Sequence, residues 1–124
     1  MANILVIDDS ALSRRILRRI LEAAGHQVRE ADDGMAALEQ YMLDQPDLVL
    51  LDMTMRGMHG LDVLNKLREL DPQARVIVAT ADIQRSTREL VDAAGGSGFI
   101  SKPIEAERLL SAVTSVLSGG GAWN

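Results

Sequence analysis

The chain reads as an α/β protein of five strand–helix units, a five-stranded parallel sheet flanked by five helices, and three observations carry that reading. Short apolar runs alternate with helical patterns along the whole length. The apolar runs are continuous, as expected of strands covered by helices on both faces. Polar side chains, mostly carboxylates, stand at the carboxyl ends of those runs, where open parallel sheets place their binding crevice.

The elements follow in order. NILVID, at 3–8, is the first strand. The spacing of Leu12, Ile16, Ile20, Leu21 and Ala24 predicts a helix over 11–24 that buries this face and ends at Gly25. Residues 27–31 read as the second strand, and 35–43 as a helix capped by Asp33. DLVLLD, at 47–52, is the third strand, and the helix over 61–70 is stopped by Asp71 and Pro72. RVIVAT, at 75–80, is the fourth strand, followed by a weaker helical pattern over 83–94. GFISKP, at 98–103, is the fifth strand and its exit, and the last helix turns Leu109, Leu110, Val113, Val116 and Leu117 inward. No repeat or domain boundary interrupts this pattern, so 1–118 is expected to form one domain and 119–124 a flexible glycine-rich tail.

Composition narrows the function. The 124 residues are 47% hydrophobic and 25% charged, a globular balance. The formal net charge of −5 disfavours nucleic acid and anionic membranes as partners. There is no cysteine, which excludes disulfides, thiolate metal sites and thiol catalysis. No apolar run approaches the roughly 20 residues that span a bilayer. The first residues lack the basic leader of a signal peptide, so a cytoplasmic protein is expected.

The informative feature is the run of apolar residues at 4–7 that leads straight into Asp8 and Asp9. Asp52 ends the third strand, Thr80 the fourth, and Lys102 follows the fifth. If these side chains converge, each carboxylate pair at roughly 5 Å repels by about 3 kcal/mol at an effective dielectric near 20. One lysine does not offset three carboxylates, but a divalent cation does. All-oxygen ligation with no His or Cys points to Mg2+ or Mn2+. A carboxylate beside such a cation can act as nucleophile toward phosphorus, with Lys102 and the Thr80 hydroxyl supporting the other phosphoryl oxygens.

The combination of DD after the first strand, LLDMTMRGMHG around Asp52, AT ending at Thr80, and FISKP with Lys102 and Pro103 resembles the receiver domain of two-component response regulators, above all the single-domain, chemotaxis-receiver-like kind. The likeness covers roughly residues 3–117. It implies a flavodoxin-like, doubly wound sheet of strand order 2-1-3-4-5. It implies Asp52 as phosphoacceptor, with Thr80 and Lys102 as its catalytic companions. The implied metal ligands are Asp9 directly, Asp8 largely through water, Asp52, and the backbone carbonyl of Thr54. Phe99 takes an aromatic switch position, and Thr54 and Asp82, both short, line the path of the attacking water. The implied partners are a histidine kinase or histidine phosphotransfer protein and an output protein on the face of the fourth helix, fifth strand and fifth helix. A monomer or weak dimer is expected. Two residues depart from the pattern: Arg56 stands where proline is usual, and His59 where an acid precedes Gly60.

Simpler roles compete for some of these residues. Phe99 also fits a core aromatic. Arg14, Arg15, Arg18 and Arg19 read first as a solvated helix face and only second as a docking face. His26 and His59 read as surface residues. Three other functions compete with the receiver reading. A phosphorelay intermediate would pass the phosphoryl group on to a histidine. A haloacid dehalogenase-type phosphatase would want an acid where Thr54 stands. A flavin or nucleotide carrier would want a glycine-rich first turn.

Overall fold

The computed structural model describes residues 2–55 and 58–123. Arg56 and Gly57, and with them the departure at position 56, lie outside the described residues. The elements run β1 (Asn3–Ile7), α1 (Ala11–Ala23), β2 (Gln27–Ala31), α2 (Gly34–Leu43), β3 (Leu48–Asp52), α3 (Gly60–Leu70), β4 (Val76–Thr80), α4 (Arg85–Ala93), β5 (Gly98–Ser101) and α5 (Ala106–Leu117). The strands are parallel in the order β2-β1-β3-β4-β5.

Each face of the sheet has its own core. Leu5, Ile7, Val49, Leu51, Val76 and Val78 pack under α2, α3 and α4, through Tyr41, Val63, Leu64, Leu67 and Val91. Ile4, Val6, Leu48, Leu50 and Ile77 pack under α1 and α5, through Leu17, Leu21, Leu109, Val113 and Val116. Every residue of β3 and β4 is buried, which is why their sequences show no alternation.

Caps and turns refine the helix limits. Asp33 caps α2 by accepting from the Ala36 N–H at 2.8 Å, as its position predicted. The fourth helix is shorter than its pattern: Asp82 accepts from the Gln84 N–H at 3.0 Å and the Thr87 hydroxyl at 2.7 Å, and this turn holds Gln84 extended.

The buried face of α1 matches the expected one at Ile20 and Leu21 and departs from it nearer the N-terminus. Leu17 and Leu21 face the sheet, whereas Leu12 and Ile16 are 65% and 45% exposed. Arg14 and Arg18 lie on the flank beside β2, where they reach Glu30 and bond the carbonyls of Asp8 and Val28. Half of the expected basic flank is therefore consumed inside the fold.

The tail makes contacts of its own with the sheet edge. Ala122 forms a parallel bridge with Gly98, the Phe99 N–H donates to the Ala122 carbonyl at 2.8 Å, and the Ala122 N–H donates to Ser97 O at 3.0 Å. The Gly120 N–H reaches Ser115 O at 2.9 Å. An edge strand offers unpaired backbone groups, and this segment takes them up. Among the described residues no helix is long and apolar enough to cross a membrane.

Candidate functional site

The sheet register brings the polar residues together. Ile7 pairs with Leu51, Asp52 with Ala79, and Thr80 with Ser101. The residues that follow or end these pairs, Asp8, Asp52, Thr80 and Lys102, therefore emerge side by side at the carboxyl edge. Asp8, Asp52 and Thr80 are the buried polar side chains among the described residues.

Asp8 is held from both sides. Its N–H donates to the Ala31 carbonyl at 3.1 Å, and its Oδ1 accepts from the Ser10 N–H at 2.9 Å. Lys102 Nζ bridges the two buried acids, 3.1 Å from Asp8 Oδ2 and 3.2 Å from Asp52 Oδ1. Asp9 is exposed at the rim, and one carboxylate oxygen from each of Asp8, Asp9 and Asp52 lies within 4.8 Å of the others.

Burial first, and the charge of Asp8 second, push the Asp52 carboxyl above the usual carboxylate range; Lys102 and the Thr54 N–H act against this. Burial pulls the Lys102 amine down, but the charges of Asp52 and Asp8 and its bonds to both outweigh that and hold it above the usual lysine value. Among the described residues Lys102 thus serves both buried carboxylates, with Asp9 close by. The donor set is all oxygen and carries excess negative charge, which fits a hard divalent cation.

The remaining predicted residues find places around this centre. Thr54 is exposed two residues beyond Asp52, and its N–H donates to the Asp52 carboxylate. The Thr80 hydroxyl accepts from the Asp82 N–H at 3.1 Å, and the Thr80 carbonyl accepts from the Lys102 N–H at 2.8 Å. Phe99 is buried and pairs with Val78 on β4. His59 is exposed and caps α3, its Nδ1 accepting from the Leu61 N–H at 3.3 Å.

Sequence reasoning missed Gly60. A Cβ there would lie 2.6 Å from Asp52 O and from Met53 Cα, so only glycine lets α3 start this close to the end of β3. The Gly60 N–H donates to Met53 O at 3.1 Å across the contact. The glycine was visible before the helical pattern, but its neighbour was not.

A doubly wound sheet with an acidic, amine-bridged crevice at its carboxyl edge is the arrangement of a phospho-accepting signalling receiver. Residues 4–114 match the family of the response regulator receiver domain, and the chain belongs to that family. It is 40% identical over 118 residues to the chemotaxis protein CheY of Bacillus subtilis, covering 93% of this chain and 97% of that one. It is 33% identical to sporulation initiation phosphotransferase F of the same species, covering 92% of each chain. Among solved structures it matches the CheX-CheY-BeF3-Mg complex from Borrelia burgdorferi with a TM-score of 0.88 and 32% identity, covering 92% of this chain and 87% of that chain.

Proposed function

We propose that the protein accepts a phosphoryl group on Asp52 from a phosphohistidine of a histidine kinase or histidine phosphotransfer protein, changes conformation, and later releases the group to water. The observation that carries this reading is Lys102 Nζ bridging Asp8 and Asp52 beside the third carboxylate of Asp9. In the transfer, an Asp52 carboxylate oxygen attacks phosphorus while the phosphorus–nitrogen bond breaks and its electron pair returns to the donor imidazole. Lys102 Nζ neutralises one phosphoryl oxygen, and the Thr80 hydroxyl donates to another. Asp8, Asp9, Asp52 and the Thr54 carbonyl are the proposed holders of Mg2+, with Mn2+ as the alternative. When bound, the cation supplies charge neutralisation for the phosphoryl oxygens.

Hydrolysis then transfers the group to a water oxygen, giving inorganic phosphate and the free Asp52 carboxylate. The Asp82 carboxylate is engaged by Gln84 and Thr87, so it supports the turn into α4 and not the orientation of that water. Thr54 remains a short, exposed neighbour that leaves the phosphorus unshielded. The proposed setting is cytoplasmic, and the proposed output surface is α4, β5 and α5.

A second reading is a relay intermediate that hands the group to another histidine; the similarity to sporulation initiation phosphotransferase F supports it. The phosphatase and nucleotide-carrier readings find no support in the family match. The test is intact-mass analysis after incubation with Mg2+ and acetyl phosphate. One added phosphoryl group is expected on the wild type and none on Asp52→Asn. A label that persists on Asp52→Asn moves the acceptor elsewhere.

A further inference from the structure

β5 is an edge strand, and its outer side is filled by the chain's own segment from Gly120 to Trp123. Two backbone hydrogen bonds join Ala122 to Ser97 and Phe99, at 3.0 and 2.8 Å. The Trp123 ring packs against the core cluster that holds Val91 and Phe99, and the Arg88 guanidinium of α4 sits 5.9 Å from its centroid, within cation–π range.

Gly98 is shaped for this occupant. A Cβ at 98 would meet Ala122 O at 2.6 Å, Ala122 Cβ at 2.8 Å and Ala122 C at 3.2 Å, and these nearest neighbours all belong to the tail. Only glycine at 98 lets the occupant's backbone come this close, and in the chain's own segment the residue opposite is alanine, with the aromatic following. Main-chain bonds that give register and one side-chain anchor that gives selectivity are the elements of peptide recognition by strand addition. The hold is short: one bridged pair and one half-buried ring, on a stretch preceded by three consecutive glycines. Beside it, Phe99, Ile100, Arg108, Ser111 and Ala112 line a groove that continues between β5 and α5.

The geometry points to the outer edge of β5, with the flank of α4, as a strand-addition site for an extended peptide of a partner protein that carries a small residue followed by an aromatic one. The chain's own Gly120–Trp123 segment fills the site in cis and must leave before the partner enters. Tethering gives the tail an effective concentration of order millimolar, so a short free peptide binds poorly until the anchor is removed.

The probe is a dye-labelled peptide of the sequence GGGAWN, followed by fluorescence anisotropy on the full-length chain. Trp123→Ala, which keeps the tail but removes its anchor, is expected to bind it saturably at up to millimolar protein. Wild type is expected to bind at least tenfold more weakly, and Gly98→Ala combined with Trp123→Ala not at all. Peptides with valine for the alanine, or alanine for the tryptophan, are expected to lose binding to Trp123→Ala, a control that leaves the protein untouched. No saturable binding to Trp123→Ala, equal binding by wild type, or indifference to both peptide changes would overturn the proposal. A wild-type mass of two chains by light scattering, reduced to one by Gly98→Ala, would mean that a second copy's tail is the occupant and would overturn it as well.

Discussion

Lys102 Nζ meets Asp52 Oδ1 at 3.2 Å across fifty residues of chain. The same amine also serves Asp8, so neither buried carboxylate has a cation to itself. Among the described residues the two buried carboxylates share this one ammonium, and the consequences are measurable.

Stability without metal is the first. Because Asp52 is pushed above the usual carboxylate range, folding favours its protonated form. Its contribution is complete below the ordinary carboxylate value and is lost as pH rises through the raised folded value. Asp52→Asn is expected to stabilise the metal-free protein at neutral pH by about 1 kcal/mol, a Tm rise of roughly 3 °C for a chain of this size. The gain should narrow on acidification. Calorimetry in EDTA decides it, and a lower Tm for the variant at neutral pH would refute the account.

Divalent cation should reverse the order. Mg2+ at tenfold its Kd adds about 1.4 kcal/mol to the wild type. Asp9→Asn removes one of three clustered carboxylates, so more metal is needed for the same shift. Paired melting curves across a Mg2+ titration measure this, and an unchanged midpoint concentration in Asp9→Asn would remove Asp9 from the metal set.

Thr80 ends β4 at the crevice, one strand away from the edge that the tail covers. Its hydroxyl accepts from the Asp82 N–H, and β4 passes its register to β5 through Val78 and Phe99, whose N–H bonds the Ala122 carbonyl. Beryllofluoride with Mg2+ is expected to shift the emission of Trp123, the sole tryptophan, in the wild type. Thr80→Ala should still accept a phosphoryl group, lose about 1 kcal/mol of stability, and leave Trp123 emission flat. A full emission response in Thr80→Ala would uncouple the two sites.

The phosphoryl group should be short-lived. Thr54 offers no long side chain to cover the phosphorus, so decay of the acyl phosphate in seconds to minutes is expected. Rapid-quench mass analysis after removal of donor follows it, and survival for hours at neutral pH would contradict the reading.

The rotation of α1 is open to a direct check. Leu17→Ala is expected to destabilise the fold by about 3 kcal/mol, as a fully buried leucine, whereas Leu12→Ala should stay within about 0.5 kcal/mol. Comparable losses at both positions would restore the face predicted from periodicity.

The number and approximate limits of the strands, the two-faced burial and the five polar residues at the crevice are legible in the chain because they rest on local pattern. Continuous apolar runs mark buried parallel strands, and a carboxylate ending such a run is too costly to be incidental. The strand order, by contrast, came only through resemblance, and the register supplied what no single segment encodes: that Lys102 sits between Asp8 and Asp52. On α1 the expected face holds at Ile20 and Leu21 but not at Leu12 and Ile16, which lie in the first turns, while Leu17 takes the buried place between them. Glycine content points to a pliable end, and only the fold shows that Ala122 of that end lies against the open edge of β5, where unpaired backbone groups need partners. Periodicity and residue chemistry act over a few positions and can be read from the chain itself; rotation, pairing and close approach are settled only between segments distant in sequence, when the fold sets them side by side.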